Sequence, residues 1–192
     1  GRNPDTGAEE ERSITDASTS ALVWKTTADP YVGKLTYFRV MSGVLKPDTH
    51  LLNSTNGKDE RIGSVFFLHG KTQEQASEVR AGDIAAVAKL AGTSTGDTLC
   101  EAGKKIVFDE MVFPSPVYEV AVFAQTKADE DKLGPALQRM AEEDPTVTVR
   151  RDAETAGVAA HVEDVGVFGQ ARQFAAVVPL VAEEARFVAD VE

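Results

Sequence analysis

The sequence contains almost no cysteine and little histidine. Its 192 residues include one cysteine, Cys100, and three histidines, His50, His69 and His161. A disulfide framework and a cysteine-rich zinc site both need several cysteines, so both are excluded. The three histidines also lack the spacing of metal ligands. This cysteine usage is typical of a reducing compartment, and we expect a cytoplasmic protein.

Long apolar segments and nucleotide-binding motifs are missing as well. No apolar run approaches the roughly 20 residues that a helix needs to cross a bilayer, and the first residues lack the order of a signal peptide. We therefore expect no membrane partner. The Gly-Lys pairs at 57–58 and 70–71 lack the rest of the phosphate-binding loop pattern. The chain itself has no visible means of binding or hydrolysing a nucleotide, and we expect no cofactor in it.

The charge balance is acidic but uneven. The net charge is −11, with −3 in residues 1–21, 0 in residues 22–103 and −8 in residues 104–192. The negative net charge argues against broad nucleic-acid binding and against a DNA partner, since phosphate binding needs clustered Lys and Arg. The neutral middle segment can still present a local basic surface to RNA. Its basic residues either face phosphates or are ordinary solvated strand ends, and the candidates are Lys34, Arg39, Lys58 and Arg61.

The distribution of polar, apolar and turn residues along the chain predicts a short leading segment and two domains. Residues 1–20 are polar and indicate a linker or a cloning remnant. Residues 21–108 consist of short apolar runs separated by turn residues, which predicts a compact β-barrel. Within it, Gly82 and Asp83, and likewise Gly96 and Asp97, are expected to form turns that need glycine for backbone geometry.

Residues 109–192 predict an α+β domain that follows a proline-containing linker, "FPSP". A strand, "VYEVAVFAQ", precedes a helix with one apolar stripe, and two strands, a second helix and a closing strand follow. The order βαββαβ is that of a ferredoxin-like sandwich. Pro135 and Pro179 fall inside the two helix patterns, so we expect those helices to be shifted, kinked or shortened. The stripe of the first helix consists of Leu133, Ala136, Leu137, Met140 and Ala141.

An acidic triplet, Glu142, Glu143 and Asp144, ends the first helix pattern. Negative charge is unfavourable at a helix C-terminus, so the triplet is either tolerated at a solvated end or has a role in docking. A metal site or an acid and base pair would need a converging second group, for which Glu163 is the only suggestion. We regard catalysis as the least favoured interpretation.

Several motifs together resemble bacterial elongation factor G. The segments similar to its second domain are "DPYVGKLTYFRVMSGVL", "NSTNGKDERIG", "EVRAGDIAAVAKL" and "TSTGDTLC". Those similar to its third domain are "MVFPSPVYEVAV", "TKADEDKLGPALQRMAEEDPTVTV" and "DAETAG". The resemblance covers about residues 21–157. The joint occurrence of these motifs in family order is far more specific than any one of them.

The resemblance implies a translational GTPase of which this chain is the middle part. In that family the second domain is a barrel that packs on the GTPase domain and touches small-subunit ribosomal RNA. The third is a ferredoxin-like domain that contacts the nucleotide switch region and a small-subunit protein. GTP and Mg²⁺ are then expected in the parent protein, and the Glu142, Glu143 and Asp144 triplet becomes a structural and docking surface.

One departure from the family leaves the specific role open. Where the family has a Gly-Met-Gly-Glu-Leu-His-Leu motif, this chain reads "EDVGVFGQARQFAAVV" over residues 163–178. Together with Pro135 and Pro179 inside the helix patterns, this departure indicates a diverged paralogue, such as a ribosomal protection protein of the tetracycline-resistance type or a ribosome-recycling factor. Two other classes stay open: an independent enzyme that uses Glu142, Asp144 and Glu163, and an interaction module without a ribosomal role.

Overall fold

The chain folds as two units, residues Gly1–Met111 and Val112–Glu192. The computed structural model describes residues 1–29, 32–70, 72–114, 120–122, 126–151 and 158–162. The first unit ends at Met111, three residues beyond residue 108, where the sequence pattern predicts the end of the barrel.

The described residues of the first unit form ten strands. Eight of them form one antiparallel sheet in the order β5-β4-β10-β1-β2-β9-β6-β7, and the short strands β3 and β8 pair with each other. The strands are β1 (Ser20–Asp29), β2 (Gly33–Ser42), β3 (Val44–Leu45), β4 (Thr49–Asn53), β5 (Lys58–Ile62), β6 (Val65–His69), β7 (Thr72–Ala76), β8 (Val79–Arg80), β9 (Ile84–Ala88) and β10 (Thr98–Cys100).

The order of the large sheet is symmetric about its central hairpin, β1–β2. On one side β1 pairs with β10 and on the other β2 pairs with β9. A hairpin completes each half, β4–β5 beyond β10 and β6–β7 beyond β9. The two halves therefore repeat one arrangement of four strands, although their strands are interleaved along the chain.

The core of the first unit lies mainly on one face of this sheet, where alternating residues of most strands meet, whereas β9 and β10 each bury three consecutive residues. On β2, Phe38 and Val40 are fully buried while Arg39 between them is exposed. Each large aliphatic or aromatic side chain buried in this way contributes about 1.5 to 3 kcal/mol. The fully buried members also include Val23, Ile62, Val65, Val79, Val87 and Leu99.

The leading segment folds back on the end of the first unit. Arg2 and Val107 exchange two backbone hydrogen bonds of 2.7 and 2.8 Å, and Lys105 Nζ lies 2.9 Å from an Asp5 carboxylate oxygen. Asn3 donates to the Glu10 carboxylate at 2.8 Å, which, with Arg12 as a second donor, lowers the pKa of Glu10 below its ordinary value. Polar composition predicts a linker here, and its polar groups find partners within the first unit while most of these residues stay exposed.

The second unit begins as a split βαβ motif. It comprises β11 (Val120–Val122), α1 (Lys127–Glu143), β12 (Val147–Arg151) and β13 (Val158–Val162). The sheet order is β11-β13-β12 with antiparallel neighbours, so β11 and β12 run parallel with β13 between them. This is the first part of a ferredoxin-like order. The second helix and closing strand, with Pro179, lie outside the described residues.

Helix α1 packs its apolar stripe on the sheet. Leu137 and Val147 are buried, and partly buried neighbours from the helix and the strands surround them: Val122, Leu133, Met140, Ala141 and Val149. The stripe predicted from the 3.6-residue period is thus the buried face. The all-β first unit and the mixed second unit confirm the predicted fold class. Within the part of the chain that the structure describes, no helix is long and apolar enough to span a membrane.

Pro135 lies inside α1 without ending it, although a shorter or shifted helix was one expectation. Pro135 supplies no N–H for the carbonyl of Asp131, the residue four positions earlier. Both residues are exposed, so water can satisfy that carbonyl. The Thr126 side chain caps the start of the helix by accepting from the Asp129 N–H at 3.3 Å. The cap and the burial of Leu137 offset the cost of the proline.

We predict that Pro135→Ala stabilises α1, because it restores an N–H donor and removes a ring clash worth up to about 3 kcal/mol. Gly134→Ala is the matched variant, with an expected gain of about 1 kcal/mol, since a Cβ at Gly134 meets no atom within 4 Å. Hydrogen exchange of peptides from residues 127–143 measures both. Faster exchange in Pro135→Ala than in the unmodified chain contradicts the prediction.

Candidate functional site

The four basic residues predicted to face RNA lie on two separated strands. Lys34 and Arg39 lie on β2, with Lys34 half-buried, and Lys58 and Arg61 are exposed on β5. Three strands stand between β2 and β5, which corresponds to roughly 19 Å along the sheet. Arg61 also lies 3.4 Å from the carboxylate of Asp48. The sheet therefore does not gather these four residues into one patch.

A loop at residues 89–93 connects the neighbourhoods of Lys34 and Lys58. The Lys89 N–H donates to the Lys34 carbonyl at 2.8 Å, directly after the β2–β9 pairing ends at Leu35 and Ala88. At the other end of the loop, Gly92 lies against the side chain of Lys58. Lys34 and Lys58 are thus joined by this loop, whereas Arg39 and Arg61 lie outside it.

A buried polar cluster of Asn53, Glu60, Thr93 and Asp97 fixes the loop. Glu60 Oε1 accepts hydrogen bonds from the Gly92 N–H at 2.7 Å and from the Thr93 hydroxyl at 2.9 Å. Fully buried Asn53 donates to Thr93 Oγ1 at 3.2 Å and to Asp97 Oδ2 at 2.8 Å. Hydrogen bonds to charged groups are worth about 1.5 to 3 kcal/mol each, so the cluster holds the loop firmly on the β4–β5 hairpin.

Sequence reasoning missed three members of this cluster. Asn53 and Thr93 each begin a quoted motif, "NSTNGKDERIG" and "TSTGDTLC", but nothing in either motif marks these two side chains as buried hydrogen-bond partners. Glu60 is only 6% exposed, yet it lies within the charged run "KDER". A strand in which four consecutive residues are charged shows no alternation that marks one of them as buried. Only the position of Gly92 and Thr93 above β5 identifies Glu60 as an internal acceptor.

The predicted glycine and aspartate turns share one geometry. In the turn Arg80–Asp83, Gly82 has a φ of 99° and the Asp83 N–H donates to the Arg80 carbonyl at 3.0 Å. Asp83 Oδ2 accepts in return from the Arg80 N–H at 3.2 Å. Positive φ at the third residue is the requirement of a type II turn, which glycine meets without strain.

The turn at residues 94–97 repeats this arrangement. Gly96 has a φ of 95°, the Asp97 N–H donates to the Ser94 carbonyl at 3.2 Å, and Asp97 Oδ2 accepts from the Ser94 N–H at 2.8 Å. Because Asp97 also accepts from Asn53, it belongs to the polar cluster. Asp97 is 9% exposed, whereas Asp83 is exposed.

Each turn attaches to one strand of the central hairpin. Gly82 and Asp83 bracket Val40, which accepts from the Gly82 N–H at 2.8 Å and donates to the Asp83 carbonyl at 3.0 Å. Gly96 and Asp97 bracket Val23 in the same way, at 2.8 and 2.9 Å. The turns therefore fix β9 on β2 and β10 on β1, at equivalent places in the two halves of the sheet.

The acidic triplet divides into one structural residue and two surface residues. Asp144 ends α1, and its Oδ1 accepts from the Thr146 N–H at 2.9 Å and from the Thr146 hydroxyl at 2.6 Å. This turn leads directly into β12. Glu142 and Glu143 are exposed on the last turn of the helix. Glu163 lies outside the described residues, and among those described no group of three or more His, Cys, Asp or Glu could hold a metal ion.

An aromatic face lies on the outer side of the central strands, and we define it by Trp24, Tyr37 and Ile84. Trp24 stands at a register shift in β1, where a β-bulge leaves it outside the pairing with β2. Its ring lies 5.7 Å from that of Tyr37, and 39% of Trp24 and 52% of Ile84 remain exposed. Arg39 pairs with Ile84 across β2 and β9, so it lies at the edge of this face.

The buried and exposed turn aspartates give a matched pair of variants. We predict that Asp97→Ala lowers the free energy of unfolding by about 2 kcal/mol or more, because it leaves donors of Ser94 and Asn53 without their buried acceptor. Asp83→Ala is expected to cost less than about 1 kcal/mol, since water can replace its exposed carboxylate. Urea denaturation followed by the fluorescence of Trp24 measures both. Equal losses contradict the prediction.

Comparison with known proteins gives the same division of the chain. Residues 18–102 match the family model described as Elongation factor G domain 2, and residues 113–159 match the model described as Elongation Factor G, domain III. Both matches stand in family order and together cover about two thirds of the chain.

A similar solved structure is a crystal structure of a protein from Thermus thermophilus. The two chains are 26% identical, and their superposition has a TM-score of 0.72 over 92% of this chain. This chain spans only 26% of the length of that protein. From the two family matches and the similarity in fold, we conclude that the chain contains elongation factor G-like domains II and III.

Proposed function

We propose that this chain is the middle part of an elongation factor G-like translational GTPase that works on the ribosome in the cytoplasm. The observation that carries the proposal is the pair of adjacent family matches, in order, on an all-β unit and a split βαβ unit. In this role the two domains contact the small ribosomal subunit and their own GTPase domain. They couple the nucleotide state of that domain to movement of the ribosome. GTP and Mg²⁺ bind in the GTPase domain.

We predict that the chain binds purified bacterial small ribosomal subunits but not GTP. Co-sedimentation measures the first, and titration with a fluorescent GTP analogue measures the second. Because the phosphate-binding loop pattern is missing from the sequence, no saturable nucleotide binding is expected in the micromolar range. Failure to sediment with subunits contradicts the ribosomal role and favours an interaction module of another kind. Micromolar GTP binding contradicts the assignment of nucleotide chemistry to a separate domain.

A second candidate function is a related ribosomal factor, either a ribosomal protection protein or a recycling factor. It is favoured by residues 163–178, which lack the family's Gly-Met-Gly-Glu-Leu-His-Leu motif. Assays on the protein containing this chain, with its GTPase domain, separate the candidates. Translocation of transfer RNA supports the first function, whereas release of tetracycline from ribosomes or separation of the subunits supports the second.

The aromatic face supports a contact with the GTPase domain. Trp24, at the bulge of β1, and Ile84, at the start of β9, expose apolar area on the sheet, where no loop of the described chain covers them. Exposed apolar residues that lie together are typical of protein contacts, and tryptophan is enriched at the centres of such contacts. The charged residue beside them, Arg39, suits the rim of a contact between domains.

Trp24 is the only tryptophan in the chain, so its fluorescence reports on this face alone. We predict that adding a purified GTPase domain of elongation factor G shifts the emission of Trp24 to shorter wavelength and protects it from acrylamide. Ile84→Lys weakens this response because it places a charge in an apolar contact. Gln73→Lys, which adds the same charge at an exposed position of the edge strand β7, is the control. An unchanged emission spectrum at saturating GTPase domain contradicts the contact.

A further inference from the structure

The sequence has three asparagines, and the residue after each one decides whether its side-chain amide can be lost. An asparagine loses this amide when the backbone nitrogen of the next residue attacks its side-chain carbon Cγ. Asn3 precedes Pro4, which has no backbone N–H and cannot react in this way. Asn53 is fully buried, and the N–H of Ser54 donates to the Thr98 carbonyl at 2.9 Å. Neither asparagine is therefore open to the reaction.

Asn56 precedes Gly57 in the turn between β4 and β5. Both residues are exposed, and a glycine has no side chain that obstructs the attacking nitrogen. A Cβ built on Gly57 meets no atom within 4 Å, so this side of the turn is open. The φ of Gly57 is 76°, as Asn-Gly turns of hairpins often require. Asn56 is thus the asparagine whose amide can be lost.

Three hydrogen bonds hold the reacting groups in the closed turn. The Gly57 N–H donates to the Asn53 carbonyl at 2.8 Å. Asn56 Oδ1 accepts from the Lys58 N–H at 3.0 Å, and Asn56 Nδ2 donates to the Gly92 carbonyl at 2.7 Å. Ring closure needs a deprotonated Gly57 nitrogen and a turned Asn56 side chain, so these bonds must open first. Exposed turns open locally at a smaller free-energy cost than core strands do, so the reaction proceeds from the opened turn.

The amide of Asn56 is also an anchor of the loop at residues 89–93. Side chains of the β4–β5 hairpin bind both backbone groups of Gly92: Glu60 Oε1 accepts from its N–H at 2.7 Å, and Asn56 Nδ2 donates to its carbonyl. A carboxylate at position 56 has no hydrogen to donate, and it sets a second acceptor against that carbonyl. Loss of the amide therefore replaces an attraction with a repulsion.

We propose that Asn56 is a site of spontaneous deamidation, and that the conversion releases the loop at residues 89–93 from the β4–β5 hairpin. The Gly57 nitrogen gives up its proton and bonds to Asn56 Cγ, and the side-chain nitrogen leaves with a proton as ammonia. Water then opens the cyclic succinimide at either carbonyl carbon, which yields aspartate or isoaspartate without oxidation or reduction. Each product adds one negative charge to an exposed turn. The modification does not depend on the ribosomal function.

The first test incubates the full chain in mildly alkaline buffer and locates the acidic product by mass spectrometry of its peptides. A parallel sample in concentrated urea gives the rate for the opened chain. We expect the folded chain to convert Asn56 but neither Asn3 nor Asn53, and more slowly than the chain in urea. Asn56→Gln should stop the acidic species from accumulating, because the longer side chain closes a larger ring more slowly.

Three outcomes of this test overturn the proposal. If the folded chain keeps the Asn56 amide during a month of incubation, the modification site is wrong. If the first acid appears at Asn3 or Asn53, the site is also wrong. If the folded and the unfolded chains react at the same rate, the three hydrogen bonds give no protection, and the mechanism through an opened turn is wrong.

The second test measures hydrogen exchange of the Gly92 amide in Asn56→Asp, which is one of the two products in pure form. The expected exchange is roughly 2- to 12-fold faster, which corresponds to the loss of one hydrogen bond. Gln73→Glu makes the same change from amide to acid on the exposed edge strand β7, and no change at Gly92 is expected there. Unchanged exchange in Asn56→Asp, or equal acceleration in Gln73→Glu, overturns the release of the loop.

Discussion

The hydrogen bonds of Asp97 join the features on which the first unit depends. One carboxylate oxygen closes the turn after Ser94 and accepts from Asn53, while the backbone of the same residue pairs with Val23 on the central strand. Through Asn53 and Thr93 the interaction continues to Glu60. A single buried aspartate therefore connects the central hairpin, the β4–β5 hairpin and the loop at residues 89–93.

This arrangement places two acidic side chains of a strongly acidic chain inside the first unit. In a low-dielectric interior a carboxylate must be paired or hydrogen-bonded, and backbone N–H groups supply those bonds to Glu60 and Asp97. Acidic residues used in this way stabilise loops and contribute little exposed negative charge of their own. The net charge of −11 thus describes the whole chain and not any one surface.

Much of the fold followed from periodicity, because most strands and the helix α1 bury one face each. The stripe around Leu137 and the strand texture of the first unit are direct consequences of that burial. The polar cluster could not be predicted, since Glu60 and Asn53 are polar residues whose partners lie more than 30 positions away. The continuation of α1 beyond Pro135 could not be predicted either. The helix tolerates the proline because the carbonyl of Asp131 is exposed to water, and the sequence does not show that exposure.

The position of β5 and β7 at the two ends of the described sheet has a consequence for solubility. An outermost strand offers unpaired backbone groups to other molecules, and apolar edges of this kind promote aggregation. Here the edge strands read "KDERI" and "TQEQA", and most of their side chains are exposed and either charged or polar. The most apolar strands, β9 and β10, stand inside the sheet with a neighbour on each side. The strand order therefore keeps the apolar strands β9 and β10 from pairing with other molecules, which favours a chain that stays monodisperse at high concentration.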